Sequence, residues 1–304
     1  MPYNNFSRRS SFSGPSRSSS GPSARYNGRS MRPPAKRGRK KEYIAPERFI
    51  KAARPVEQVE YIPTHQFADF AVTPLLHDNI VSKGFTTPSP IQDQAIPEAL
   101  KGHDIIGIAN TGTGKTLAFA VPLLDKLIAN PGSSALVMAP TRELAQQILD
   151  ECKMLAKGSG LFGTLLIGGA PMGPQLKDLS HKPSVVIGTP GRIKDHMERG
   201  SLNLSKFDVV VLDEVDRMLD MGFVNDMRTI LAELAVVRQS FFFSATMDPK
   251  VRALINDFSK DPIMISVKTG DTSDNVEQNI VRVNSSMEKI EKLHDILNEE
   301  TSSR

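Results

Sequence analysis

Six short stretches of this chain are almost wholly apolar, and they limit what it can fold into: 105–108, 135–139, 164–167, 185–188, 209–212 and 241–243. A strand with one wet face alternates apolar with polar residues, whereas these runs of Val, Ile, Leu and Phe suit strands buried on both faces. Between them, 117–129, 142–157 and 225–236 repeat apolar residues at helical spacing. Strand and helix in alternation predict a parallel sheet with right-handed crossovers, helices on both faces, and ligands at the carboxyl ends of the strands. At 304 residues there is room for about two domains.

One carboxyl end carries a glycine-rich turn. Asp104–Thr116 reads DIIGIANTGTGKT, a strand followed by a loop and then by Lys-Thr opening a helix. Thr111, Gly112, Thr113 and Gly114 form a loop whose amides can converge on a phosphate, because its glycines take backbone conformations closed to other residues. The following helix aims its positive end at the same anion. Lys115 then reaches the β- and γ-phosphates, and the Thr116 hydroxyl ligates Mg²⁺. Ala109 stands where the usual phosphate-loop pattern has its first glycine.

A second end carries acid. In 207–216, FDVVVLDEVD, the buried run 209–212 delivers Asp213 and Glu214. Asp213 is placed to hold the magnesium ion through water, and Glu214 to orient and deprotonate an attacking water. A third run, 241–246 (FFFSAT), ends in hydroxyls. Ser244 and Thr246 are suited either to bond Asp216 or to cap a helix.

Charge is unevenly spread. The net charge is +4, yet residues 1–41 hold eleven of the 38 Lys and Arg and none of the 34 acids, leaving the rest of the chain net −7. Residues 1–42, rich in Ser, Gly, Pro and Arg, cannot bury enough apolar surface to offset chain entropy and are expected to be disordered. Two roles are open to this tail: a solubilising linker, or an RNA tether in which arginines meet phosphates and Tyr3, Phe6, Phe12 and Tyr26 stack on bases. Residues 43–66 read as a connector containing a short helix. Cys152, the single cysteine, excludes an internal disulfide and reads as helix packing. The six histidines lack ligand spacing, so no transition-metal site is expected. No apolar run approaches a membrane span and no signal peptide opens the chain, so a cytoplasmic location is expected.

Taken in order, these residues resemble the DEAD-box RNA helicases of helicase superfamily two. The resemblance runs from Phe67 to about Ser266. Residues 84–92 (GFTTPSPIQ) resemble the family's adenine-reading motif, with Phe67 as its isolated upstream aromatic. Residues 109–116 match its phosphate loop, and 213–216 stand where the naming motif falls. PTRELA (140–145), Gly168-Gly169 and TPGR (189–192) resemble its RNA-backbone elements, and 244–246 its coupling motif. The resemblance implies a RecA-like P-loop NTPase domain over 67–266, hydrolysing ATP with Mg²⁺ to unwind RNA. It implies that Phe85 stacks on adenine and Gln92 bonds its edge. By the same resemblance, Arg142, Gly169, Thr189, Gly191 and Arg192 would contact single-stranded RNA through its backbone, which carries no sequence information. Read singly, Arg142 and Arg192 also suit surface ion pairs, Arg192 with Asp195. The resemblance implies that Asp216, Ser244 and Thr246 couple the two activities.

Val215 replaces the family's usual alanine, Thr113 a serine and Asn110 a glutamine; each leaves the catalytic groups in place. The larger departure lies beyond 266. Residues 267–304 read as a linker and the opening strand and helix of a second RecA-like domain, with nothing resembling the later motifs that supply the arginine finger and the rest of the RNA clamp. The expectation is an enzyme weakly active alone, needing a second RecA-like domain for full activity. The alternative is an RNA-binding or chaperone fragment without significant turnover.

Overall fold

In the computed structural model, residues 61–267, 280–283 and 285–301 are described. Among them, seven strands form one sheet: β1 (Ile105–Ile108), β2 (Ala135–Met138), β3 (Gly163–Leu166), β4 (Val185–Gly188), β5 (Val209–Leu212), β6 (Gln239–Ser244) and β7 (Ile263–Ser266). Their order is β3-β4-β2-β5-β6-β1-β7, and every pairing is parallel. All residues of β1, β2, β4, β5 and β6 are buried; only the edge strands β3 and β7 show partial exposure. That is why the interior runs carry no polar alternation.

Successive strand residues face opposite ways and build two cores. Val137, Val209, Val211, Phe241 and Phe243 join the core on one face, where α2 (Pro90–Leu100), α3 (Lys115–Ala129) and α4 (Arg142–Leu155) pack. Leu136, Met138, Val210, Leu212 and Phe242 join the other, covered by α6 (Pro190–Glu198), α7 (Val215–Asp220), α8 (Val224–Ala232) and α9 (Pro249–Phe258). Each fully buried Val, Leu or Phe contributes about 1.5–3 kcal/mol of transfer free energy. Two further helices lie at α1 (Pro74–Ser82), which packs beside α4, and α5 (Met172–Ser180). Cys152 is buried in the first core, and burial pushes its thiol up to about 12, which fits a packing role.

The boundaries differ from expectation where polar groups intervene. β6 begins at Gln239, two residues before the apolar run, and ends at Ser244. Its polar start is tolerated because Gln239 Nε2 donates to the carbonyls of Ala99 (2.7 Å) and His103 (3.0 Å), while the Ser240 amide donates to Asp104 (2.7 Å). α3 starts at Lys115, where Lys-Thr was expected to open a helix, with left-handed Gly114 as its N-cap. α8 stops at Ala232 rather than 236, and Val236 and Val237 are left exposed in the turn before β6. α4 stops at Leu155 instead of 157. β2 ends at Met138, one residue before the expected end, and β3 sits one residue earlier than expected, with Gly163 opposite Val185. β7 was not among the expected strands; it adds to the edge beside β1. Residues 280–283 carry no strand, whereas a helix does follow as α10 (Ser286–Thr301). The expected tail (1–42), most of the connector (43–60) and residues 268–279 lie outside the described residues.

Candidate functional site

Six carboxyl ends carry the residues singled out in the sequence, and the strand order sorts them. β1, β6 and β5 lie side by side and lead into 109–116, 244–246 and 213–216; β2, β4 and β3 form the adjoining half and lead into 140–145, 189–192 and 168–169.

In the first half, Gly112 and Gly114 adopt φ of +80° and +87°, the left-handed region that glycine enters without steric cost. The loop is braced from α2. The Ser89 hydroxyl donates to the Thr113 carbonyl (2.8 Å), Gln92 Nε2 to the Gly114 carbonyl (2.9 Å), and the Thr113 hydroxyl to the Asn110 carbonyl (2.8 Å). Gln92 also caps α2 by accepting from the Ser89 amide (2.9 Å), so each end of its buried amide has one internal bond, leaving one N–H and one lone pair. Phe85 packs at 5.9 Å from Phe67, whose amide donates to the Thr86 carbonyl (2.9 Å).

Lys115 is buried to 6% exposure, and its Nζ has no hydrogen-bond partner. A buried donor without an acceptor is costly, so an acceptor at this spot would relieve a penalty already present. Thr111, Lys115, Glu214, Asp216 and Arg217 line a cleft of about 210 Å³. Beneath Lys115, Asp213 is 2% exposed; burial chiefly pushes its carboxyl up to about 6, opposed by the Lys115 charge and reinforced by Glu214 and Asp216. Glu214 sits at φ +52° as the residue before α7, and its Oε2 accepts from Arg217 Nη1 (3.0 Å). Among the described residues no three His, Cys, Asp or Glu side chains converge as a metal cage. Mg²⁺ typically takes one or two protein oxygens and completes its shell with phosphate and water, which Asp213 and the half-buried Thr116 suit.

Asp216, which lines the same cleft, also ties the turn after β5 to the end of β6. Its Oδ2 accepts from the amides of Ala245 (3.1 Å) and Thr246 (2.9 Å) and from the Thr246 hydroxyl (3.1 Å), while its own amide donates to the Ser244 hydroxyl (3.3 Å). Of the two roles open to these hydroxyls, bonding Asp216 is the one seen. Val215 is fully buried in the core beneath β5, so its extra methyls point away from the cleft and into packing.

In the second half, Arg142, Thr189, Gly191 and Arg192 line one groove of about 570 Å³ with Gly168. Gly169 has φ +78°, and the Arg142 guanidinium lies so close that a Cβ on Gly169 would collide with Nη1. Arg192 Nη1 donates to the Ala170 carbonyl (3.2 Å), and its Nε lies 3.8 Å from Asp195. Met221 and Phe223 form the groove's other wall. They follow α7, the helix opened by the acidic motif, and nothing in their spacing marked them.

Sequence reasoning also missed Asp93. It is 2% exposed and accepts from the Tyr61 hydroxyl, the Thr64 amide (2.8 Å), the His65 amide (3.0 Å) and His65 Nδ1 (2.7 Å). Burial raises its pKa, but those donors outweigh it and hold the carboxyl below its ordinary value. The segment 61–66 is thereby fastened to the start of α2, one residue from Gln92. No helix among the described residues is long and apolar enough to cross a membrane.

Comparison with known proteins converges with this geometry. Residues 89–254 match the DEAD/DEAH box helicase family. The chain is 40% identical over 238 residues to the ATP-dependent RNA helicase DBP2 of Gibberella zeae, covering 76% of this chain and 43% of that protein, so it spans less than half of that relative's length. A DEAD box protein from the hyperthermophile Methanococcus jannaschii superposes with a TM-score of 0.64 at 36% identity, over 78% of this chain and 64% of that one. A hypothetical ATP-dependent RNA helicase from Sulfolobus tokodaii gives 0.60 at 32% identity, over 64% and 56%. The seven-stranded parallel sheet is a RecA-like fold, and the chain belongs to the DEAD/DEAH box helicase family.

Proposed function

We propose that this chain is the ATP-binding half of an ATP-dependent RNA helicase. It takes Mg²⁺-ATP at the carboxyl ends of β1, β5 and β6, and the backbone of single-stranded RNA at those of β2, β3 and β4. The single observation that carries the nucleotide reading is the Lys115 amine, buried without a partner behind a loop of two left-handed glycines. Phosphate oxygens supply the acceptor that Lys115 lacks. Thr111, Gly112, Thr113 and Gly114 wrap the phosphates, and Phe85 and the free half of the Gln92 amide receive the adenine.

Mg²⁺, held by Thr116 and through water by Asp213, would neutralise charge on the phosphates. Glu214 orients the attacking water and takes its proton, while its Oε2 accepts from Arg217. Asp216, tied to Ser244 and Thr246, carries movement between the acidic turn and the end of β6. RNA phosphates meet Arg142, Arg192 and the Gly168–Gly169 loop, with Thr189 and Gly191 along the groove, and the basic tail adds sequence-independent attraction. A second RecA-like domain is needed for full activity, since an arginine finger is worth roughly 10³–10⁵ in rate. The Glu214–Arg217 pair also favours a second reading, an RNA-binding fragment without significant turnover.

The test is titration of a fluorescent ATP analogue with Mg²⁺ into the wild-type chain and Lys115→Met. Saturable binding that Lys115→Met abolishes is expected; equal affinity for the two chains would overturn the nucleotide reading.

A further inference from the structure

His196 is wholly buried on α6 and has no part in the steps above. Its Nε2 lies 3.3 Å from Oε1 of Gln175, a 5%-exposed side chain on α5. The amide nitrogen of Gln175 faces three carbonyls of one loop, those of Ile167 (3.3 Å), Ala170 (3.4 Å) and Pro171 (3.2 Å). Those acceptors fix the orientation of the amide. Nitrogen must face the loop, so Oε1 must face the imidazole, and His196 Nε2 must carry the hydrogen. The other ring nitrogen lies 2.9 Å from the Ser201 hydroxyl, whose single hydrogen it shares with the His196 carbonyl, also at 2.9 Å. Burial chiefly, helped by the Arg192 charge, holds the His196 pKa below its usual value, consistent with this neutral tautomer.

The loop so held is 167–171, which contains Gly168 and Gly169. Arg192 adds a second bond to the Ala170 carbonyl. With these carbonyls drawn inward, the amides of Gly168, Gly169 and Ala170 have no acceptor among the described residues. Unpaired consecutive amides around a left-handed glycine suit an anion.

We propose that Gln175, seated by His196, is the positioning residue of this loop, keeping its amides presented to an RNA phosphate. The proposal rests on the RNA reading above. Gln175 touches no substrate; it acts through the loop, and His196 acts through Gln175.

The test uses the full chain in about 0.2 M salt, where the electrostatic attraction of the basic tail is weakened. Affinity for a fluorescein-labelled decauridylate is measured by anisotropy, alongside affinity for a fluorescent ATP analogue and the melting temperature. The variants are Gln175→Met, His196→Leu, His196→Gln and Arg142→Ala. Gln175→Met keeps the shape of the side chain and removes its donors. His196→Gln keeps a donor near the Nε2 position, whereas His196→Leu removes it. Losing one well-oriented phosphate contact corresponds to about tenfold in affinity. Gln175→Met and His196→Leu are therefore expected to weaken RNA binding about tenfold, with ATP affinity unchanged and His196→Gln close to wild type. If both weakened variants bind RNA as wild type does while Arg142→Ala loses affinity, the proposal is overturned and the RNA reading stands. If Arg142→Ala is also unchanged, both fall. Should Gln175→Met not melt cooperatively, the His196 pair decides: equal RNA affinity for Leu and Gln overturns the proposal.

Discussion

Asp213 should cost the ligand-free protein stability that it returns only when a cation arrives. Its carboxyl is 2% exposed and its pKa rises from 3.8 to about 6. Between those values the folded state holds a proton that the unfolded chain releases, so stability falls as pH climbs through the window and the full cost is present above it. A shift of about two units corresponds to about 3 kcal/mol at pH 7.5 and falls to a small fraction of that at pH 4. Asp213→Asn removes the charge and keeps an Oδ1 to accept from the Glu214 amide (2.9 Å). Thermal melting of chelator-treated wild type and Asp213→Asn at pH 7.5 and 4 measures the difference. For a domain of roughly 200 residues, 3 kcal/mol moves Tm up by about 6–12 °C, with Asp213→Asn the more stable protein at pH 7.5. Mg²⁺-dependent ATP affinity should be lost in the same variant. A Tm at pH 7.5 that is unchanged or lower would refute the reasoning that burial sets this carboxyl.

Three other predictions rest on separate contacts. Asp216→Ala strands the amides of Ala245 and Thr246 and should lower stability by about 1–3 kcal/mol, read by denaturant unfolding. Val215→Ala, which restores the residue usual in DEAD-box helicases, deletes two methyls from a fully buried site and should cost about 2 kcal/mol in the same assay, leaving ATP affinity unchanged. Asp93→Asn replaces an acceptor-only carboxylate facing four donors; it should loosen 61–66 and weaken binding of ATP more than of inorganic triphosphate, measured by competition.

What was legible in the sequence was whatever depends on neighbours along the chain. The Gly112–Thr116 turn, the buried runs and the Asp213–Glu214 pair each announce themselves within a dozen residues. The order β3-β4-β2-β5-β6-β1-β7 did not, since alternation predicts a parallel sheet without saying which strands adjoin. It is that order which separates the phosphate loop from the Arg142 groove. Contacts between distant polar residues were equally hidden: Asp93 meets Tyr61 across 32 positions, and Gln175 meets His196 across 21. Gln239 fell outside the expected run 241–243 because its acceptors, the carbonyls of Ala99 and His103, lie about 140 residues upstream. Met221 and Phe223 carry no mark in the sequence; the fold brings them to the groove that Arg142 lines.

We propose that nucleotide and nucleic acid divide the carboxyl end of one sheet between them. Hydrogen–deuterium exchange of the full chain, with Mg²⁺-ATP added first and decauridylate second, reads that division segment by segment. Nucleotide should slow exchange in 109–116 and 213–216, and RNA should then slow 140–145, 168–171 and 189–193. RNA protection confined to the nucleotide segments, or absent from all three groove segments, would contradict the account.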